Sequence, residues 1–541
     1  MITSIEFDEP GCRKAQRFGP FGDLIFKGLQ RHQYFPGGAR RFGYNESLQG
    51  TRVTMTASKL YPASVIKEID RQYSQDYGIS SFQLMKLAAR RVVELILTRY
   101  SDIKNAQVFC GSGNNAGDGF LIAAGLADRG WLVQVVLVGN TEKLSGASRE
   151  AFAVCQNSQA IVQGFEGSVL AGAVLVDALL GLGIRGEVTS EYRSAIMAIN
   201  AGSGPVVAVD LPSGLQPDSG DVGTACVRAS ITITFLARKI GLYSQDGPDY
   251  AGEIMLADLG LPEALLAKHA AKALRVLDAP RLPVRQNKAH KGHFGHLLVV
   301  GGNTGFGGAG LLASEAAVRS GAGLVSVVSR EAHRSGFLAR CPEVMFRGVT
   351  ETDDITDLLD RVQAVVLGPG LGQDAWAQNL YRQVIAAGKP LVLDADGLNL
   401  LARAPVPLLD CIMTPHPLEA ARLLRRDQVD PDRLAVVGQL QSEYGAVVVL
   451  KGAATLVASN SGIAINVLGG PAMATAGMGD VLSGLLGALL AQGESLSRAA
   501  ELGVAHHGRA ARMATAQQGE VGLLARDVVM QVGRSLSGIV L

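Results

Sequence analysis

The feature that most restricts the fold is a repeated order of parts: a short apolar run, a glycine-rich turn, then a segment with helical spacing. The first clear case spans 106–138. There A-Q-V-F-C (106–110) leads into G-S-G-N-N-A-G-D-G (111–119), a helical stretch (120–129) and a second apolar run (132–138). Strand, turn, helix and strand make a βαβ unit, whose parallel strands need a crossover lying on the face of the sheet. Further strands are expected at 173–177, 206–210 and 229–235, and a second series at 296–300, 324–328, 364–367, 391–394 and 446–450. Apolar residues three and four apart predict helices at 63–77, 81–100, 309–320, 375–387, 418–425, 481–492 and 498–514. The chain is therefore read as α/β. Its 541 residues exceed one ordinary core. The stretch A-P-R-L-P-V-R-Q within 270–290 marks the boundary between domains at 55–272 and 280–541. Residues 1–54 lack apolar periodicity and are read as a poorly ordered extension.

Composition removes several classes of function. A net charge of +1 leaves no electrostatic footprint for nucleic acid. Apolar runs are interrupted early, as by Asp177 within 170–184, so no membrane span is expected. Cys12, Cys110, Cys155, Cys226, Cys341 and Cys411 show no C-x-x-C spacing and are read as reduced thiols of a cytoplasmic protein.

The chemistry concentrates in a few turns. In A-T-A-G-M-G-D-V-L-S-G (474–484), glycines precede an apolar helix with Asp480 at its start. Free N–H groups there suit a phosphate, and a carboxylate beside them suits a base that takes a hydroxyl proton. The plainer alternative is an N-cap. In the first half Asn114, Asn115 and Asp118 share a loop, Asp177 and Asp210 end strands, and Ser213 follows. Such oxygen donors suit a hard cation, and Asp210 suits acid/base work, although each residue alone is as well explained by a turn. His416 lies in a Pro-flanked turn, and Lys451 ends a strand, where it meets a phosphate or solvent. Three loops (111–116, 181–186 and 305–310) fit G-x-G-x-x-G/A. The third, with Glu331 about 20 residues on, keeps a hydride-transfer enzyme open. Neither a zinc motif nor a Walker A motif occurs.

Taken together, the motifs resemble a known family. K-G-H-F-G (291–295), G-P-G-L-G (368–372), D-A-D-G-L-N (394–399), T-P-H-P-L-E-A (414–420), K-G-A-A-T (451–455) and A-G-M-G-D-V-L-S-G (476–484) are similar to the ADP-dependent NAD(P)H-hydrate dehydratases. G-N-N-A-G-D-G (113–119), D-A-L-L-G-L-G (177–183) and V-D-L-P-S-G (209–214) resemble the NAD(P)H-hydrate epimerases. The resemblance implies a Rossmann-like three-layer epimerase domain followed by a ribokinase-like dehydratase domain, in a cytoplasmic homo-oligomer. It implies the substrates NADHX, NADPHX and ADP, with potassium in the first domain and magnesium in the second. Carried onto this sequence, Asn114, Asn115, Ala116, Gly117, Asp118, Gly181, Leu182, Gly183, Ile184, Arg185, Gly186, Glu187 and Asp210 would hold the hydrate for epimerisation. Asn115, Asp177 and Ser213 would bind potassium. Ala322, Gly370, His416 and Asp480 would contact the hydrate for dehydration, and Lys451, Gly452, Ala453, Ala454, Thr455 and Gly479 the nucleotide. Asp210 and Asp480 would be the catalytic residues. Three places depart from the family pattern: Ala116 replaces a glycine, Met478 a small polar residue, and A-H-H-G-R-A-A-R (505–512) lacks the acid expected near Arg512.

Overall fold

The computed structural model describes residues 59–184 and 186–539. The expected 1–54 extension and Arg185 lie outside the described residues. Two sheets carry the chain. The first has seven strands, all parallel, in the spatial order Ile161–Gly164, Leu132–Leu137, Asn105–Cys110, Val174–Ala178, Val206–Val209, Ile231–Phe235 and Glu253–Ala257. Its strand order reverses between Asn105–Cys110 and Val174–Ala178, the switch point where ligands of such sheets bind.

The second sheet has eleven strands. Seven are parallel: Met345–Gly348, Leu324–Ser329, His296–Val300, Ala364–Leu367, Leu391–Leu393, Cys411–Met413 and Val447–Leu450. The antiparallel hairpin Leu456–Ser459 and Gly462–Ile465 follows, then Leu274–Val276 and Lys59–Leu60 at the edge. Here the order reverses between His296–Val300 and Ala364–Leu367.

Three features differ from the sequence reading. Lys59–Leu60 and Leu274–Val276, expected in or before the boundary of the first domain, are strands of the second sheet. Two- and three-residue strands carry no periodic signal, so only their pairing reveals them. The helix expected at 120–129 runs Asn114–Ala127, because Gly113 is its N-cap and the glycine loop supplies its first turn. The helix expected from 481 likewise begins at Met478, behind Gly477 at φ 89°. Beyond these, no helix among the described residues is long and apolar enough to cross a membrane.

The helix Met478–Ala491 is almost entirely buried, sandwiched between the second sheet and the helices Gly307–Arg319 and Leu496–Gln518. Its glycines allow the contact. A Cβ on Gly484 would stand 2.0 Å from the Ala313 carbonyl oxygen, which is backbone and cannot swing aside. Gly484→Ala should therefore lower stability by about 1–3 kcal/mol despite the better helix propensity of alanine. Denaturant unfolding checks this; an unchanged midpoint would mean that the two helices are not locked at this distance.

Candidate active sites at the carboxyl ends of the two sheets

At the switch point of the first sheet, the helix Asn114–Ala127 starts beside the end of Val174–Ala178. Asn115 is buried and its Nδ2 donates to the Leu180 carbonyl at 3.0 Å. Ser213 Oγ accepts from Leu180 N at 2.8 Å and donates to Asp177 Oδ1 at 2.6 Å, while Ser213 N donates to Asp177 Oδ2 at 2.7 Å. Asn115, Asp177 and Ser213 are thus brought together around Leu180. Asp177 is fully buried, and no lysine or arginine pairs with it among the described residues. Burial pushes its carboxyl up to about 6, against its bonds from Ser213 and Leu179. A buried carboxylate, a hydroxyl, an amide and a carbonyl, with no cation of their own, fit a hard monovalent ion.

Asp210 follows the strand Val206–Val209 with its backbone at φ 67°. Its Oδ1 accepts from Phe235 N at 3.1 Å and Thr234 Oγ1 at 3.4 Å, and it forms a short ion pair with Lys239. Asp118 faces this pair without a hydrogen-bonding partner among the described residues. Burial, and then the nearby charges of Asp210 and Asp70, raise its carboxyl well above the carboxylate range. Asn114 is exposed at the helix start, while Ala116 and Gly117 are buried. The Ala116 methyl is taken into the first core, so this departure from the family pattern needs no adjustment. Gly181 lies against the Asn115 side chain, and Leu182 packs beside Leu211 and Leu215. Gly183, Ile184, Gly186 and Glu187 continue outward, with Gln216 Nε2 donating to the Gly186 carbonyl at 3.2 Å. Sequence reading missed Lys239 and Asp70. A lone lysine inside the apolar run F-L-A-R-K-I-G-L was the available signal.

In the second sheet, Asp394, Thr414 and Lys451 stand at the ends of three neighbouring strands. Lys451 Nζ donates to Asp394 Oδ1 at 2.7 Å, and Ser483 Oγ to Asp394 Oδ2 at 2.8 Å. Glu419 is 3.9 Å from the same ammonium. Burial would raise Asp394, but Lys451, Thr414 and Ser483 bring it below its ordinary value. This pair sits under the first turn of Met478–Ala491: a Cβ on Gly479 would be 3.5 Å from both Asp394 Oδ2 and Lys451 Nζ. Lys451 is therefore a half-buried side chain of the site and not a strand cap in solvent. Asp480 is the third residue of that helix, and no donor among the described residues reaches its carboxylate. Burial and then Asp394 push it up to about 7, with Lys451 pulling the other way. Met478 turns into the core, so its side chain leaves the backbone donors of the turn uncovered.

His416 caps the helix Pro417–Leu423, its Nδ1 accepting from Leu418 N and Glu419 N at 3.2 Å each. Nε2 therefore carries the proton, and burial followed by Lys451 lowers the imidazole. His416 accordingly offers a neutral donor. The 451–455 turn is shaped from below by the buried Arg433, which donates to the Ala453 carbonyl at 2.6 Å. Gly452 and Ala453 are exposed, and Ala454 holds φ 59°. Thr455 closes the turn, its Oγ1 donating to the Gly452 carbonyl. Gly370, at φ 58°, accepts from Asn303 N at 2.7 Å across the switch point, next to the Asp394 strand end.

Ala322 is not brought to this group. It precedes the strand Leu324–Ser329 at the opposite edge, where Gln492 reaches Ser320. Gln492 ends the helix that Asp480 begins, roughly 18 Å away at 1.5 Å per residue. Sequence matching located the motif, but the helix length separates its two ends. Glu331, which a nucleotide ribose would need in the hydride-transfer reading, is instead paired twice with Arg334. Asp394, Glu419 and Ser483 belong to the site and were left out of the sequence assignment, although all three lie in quoted motifs.

Comparison with known proteins gives one answer over both domains. Residues 297–533 match the family model described as NAD(P)H-hydrate dehydratase, and residues 81–241 the model described as YjeF-related protein N-terminus. A bifunctional NAD(P)H-hydrate repair enzyme of Coxiella burnetii is 43% identical over 87% of this chain and 97% of its own length. The Escherichia coli enzyme of that name is 36% identical over 87% and 93%. Among solved structures, an ADP/ATP-dependent NAD(P)H-hydrate dehydratase from Bacillus subtilis, co-crystallised with ATP/Mg2+, is 28% identical over 48% of this chain and 95% of that one, with a TM-score of 0.43. The chain belongs to the family of bifunctional NAD(P)H-hydrate repair enzymes.

Proposed function

We propose that this chain restores NADH and NADPH from their hydrates, epimerising the R and S forms in the first domain and dehydrating the S form in the second with ADP as co-substrate. The observation that carries the dehydratase half is Asp480. It is an unpaired carboxylate in the first turn of a glycine-flanked helix, directly above a lysine. Hydroxide is a poor leaving group, and phosphate is a good one. Asp480 takes the proton of the ring hydroxyl, whose oxygen attacks the terminal phosphorus of ADP and releases AMP. The free N–H groups at 478–480 and the Lys451 ammonium oppose the charge of the transferred group. The neighbouring ring nitrogen then expels phosphate, and loss of a proton from the adjacent ring carbon completes the dihydropyridine. His416 donates to the hydrate, Gly370 leaves room beside it, and the 451–455 turn with Gly479 receives the nucleotide. Magnesium would be brought by the nucleotide phosphates and would offset part of their charge.

In the first domain Asp210 exchanges the proton of the hydrate. Residues 114–118, 181–184 and 186–187 enclose the ring, and Asn115, Asp177 and Ser213 would hold potassium. Bound there, potassium supplies a fixed positive charge that compensates Asp177.

The two sites separate by mutation. Asp480→Asn should lower ADP-dependent dehydration by about 10²–10⁴-fold and leave epimerisation intact. Asp210→Asn should do the reverse, so that the S hydrate is repaired and the R hydrate waits on spontaneous inversion. Incubating mixed hydrates with ADP, ATP or neither, while following the nicotinamide absorbance, reads both. Loss of both activities in either folded variant would sink the two-site assignment.

Asp480 also predicts a pH dependence. Dehydration should rise along a limb centred near pH 7 as the base ionises. The folded state holds this proton more tightly than the unfolded chain. Stability is therefore present below the unfolded value and lost as pH rises toward about 7. Asp480→Asn should melt higher than wild type at pH 8, with the gain shrinking toward pH 4. Equal melting temperatures at pH 8 would contradict the buried, unpaired state of Asp480.

Replacing tetramethylammonium by potassium should raise the melting temperature of wild type and not that of Asp177→Asn, since only a bound cation stabilises the fold by mass action. An equal rise in both proteins would remove the cation from Asp177.

A further inference from the structure

Lys239 is buried to 0% exposure, a rare state for a lysine unless it is paired. Its ammonium has three protons and three acceptors. One is Asp210 Oδ1, the second Thr234 Oγ1 at 2.9 Å, and the third the Phe235 carbonyl at 2.7 Å. Phe235 N also donates to Asp210 Oδ1, so that oxygen is saturated. No donor among the described residues reaches Oδ2. The lysine backbone is itself tied to the chain just past the edge of the second sheet. Tyr61 bridges to Lys239, and Tyr61 N donates to the Arg238 carbonyl at 2.8 Å, one residue after the edge strand Lys59–Leu60 of the second sheet. Ile240, the next residue, is packed in the core of the second domain with Leu60 and Leu274.

We propose that Lys239 is the positioning residue of the epimerase site: it fixes the Asp210 carboxylate through Oδ1 so that Oδ2 alone is presented for proton exchange with the hydrate. This rests on the epimerase reading above. Inversion needs the carbon–oxygen bond of the ring hydroxyl to break and re-form on the other face. The leaving oxygen takes a proton from a neutral acid and departs as water, while the ring-nitrogen lone pair closes to a C=N⁺ bond. Water then adds to the opposite face, its surplus proton passes to Asp210 Oδ2, and the nitrogen recovers its lone pair. Asp118, unpaired and raised by burial and by the Asp210 and Asp70 charges, is the neutral acid at hand. The proton returns from Asp210 to Asp118 through solvent. The charged groups that face one another here are Asp70 on the helix Ala63–Tyr77, Asp118 on the helix Asn114–Ala127, Asp210 and Lys239.

The test uses the full chain with Lys239→Met, Asp210→Asn and Thr234→Val, measuring epimerase kcat and KM, with ADP-dependent dehydration of the S hydrate as the control for folding. For Lys239→Met we expect epimerase kcat to fall about 100-fold, the lower part of the range for a misplaced acid/base group. KM should change little and dehydration should hold, so that the loss is confined to epimerase kcat. Thr234→Val removes one of the three anchors and should lower kcat at least threefold at unchanged KM. It decides the matter if Lys239→Met does not fold. Wild-type kcat in folded Lys239→Met, or in Thr234→Val where that variant decides, overturns the role of Lys239. Full epimerisation by Asp210→Asn would instead overturn the assignment of Asp210 itself, whatever the Lys239 variants do.

Discussion

Each sheet draws in a lysine at its carboxyl edge, Lys239 fully buried and Lys451 half-buried, and an aspartate at a strand end holds each of them: Lys239 with Asp210, Lys451 with Asp394. An unpaired ammonium in such surroundings would cost several kcal/mol after relaxation, so neither strand end can move without its partner. The pairing also settles what the neighbouring carboxylates can do. Once Lys451 is committed to Asp394, Asp480 is left above it without a donor and retains its proton to about pH 7. Once Lys239 is committed to Asp210, Asp118 is likewise left without a donor and is raised well above the carboxylate range. Each site thus has one carboxylate in an ion pair and one that carries a proton, the contrast from which acid/base roles arise.

Glycine sets the distances around these pairs. Gly477 turns into the helix at φ 89°, and a Cβ there would stand 2.6 Å from Leu312. Gly479 leaves the first turn open over Asp394 and Lys451. The same small residues that let Met478–Ala491 sink between sheet and helices bring its unpaired N–H groups to the strand ends. Packing and the placement of these N–H groups therefore rest on one geometry.

The domains are joined by more than a linker. Lys59–Leu60 completes the edge of the second sheet, and Tyr61 bonds at once to the Arg238–Lys239 backbone of the first domain. Ala63 N then donates to Asp218 Oδ1 at 2.6 Å as the helix carrying Asp70 begins. A short strap thus runs from the core of the dehydratase to two charged groups of the epimerase site.

Local pattern in the sequence determined the α/β class, the succession of two domains, most central strands, and the turns bearing Asp480, Asp210, His416 and Lys451. It did so because apolar runs of four to six residues ending in glycine have few other readings. Tertiary structure alone decided the rest. The edge strands at 59–60 and 274–276 are too short to carry a period. Met478 faces the core, a choice made by helix phase and not by residue type. Ala322 is separated from Asp480 by the length of a helix, which motif matching does not measure. The pairs Lys239–Asp210 and Lys451–Asp394 could be recognised only when separate strands ended side by side, because the energy of an ion pair depends on distance in space.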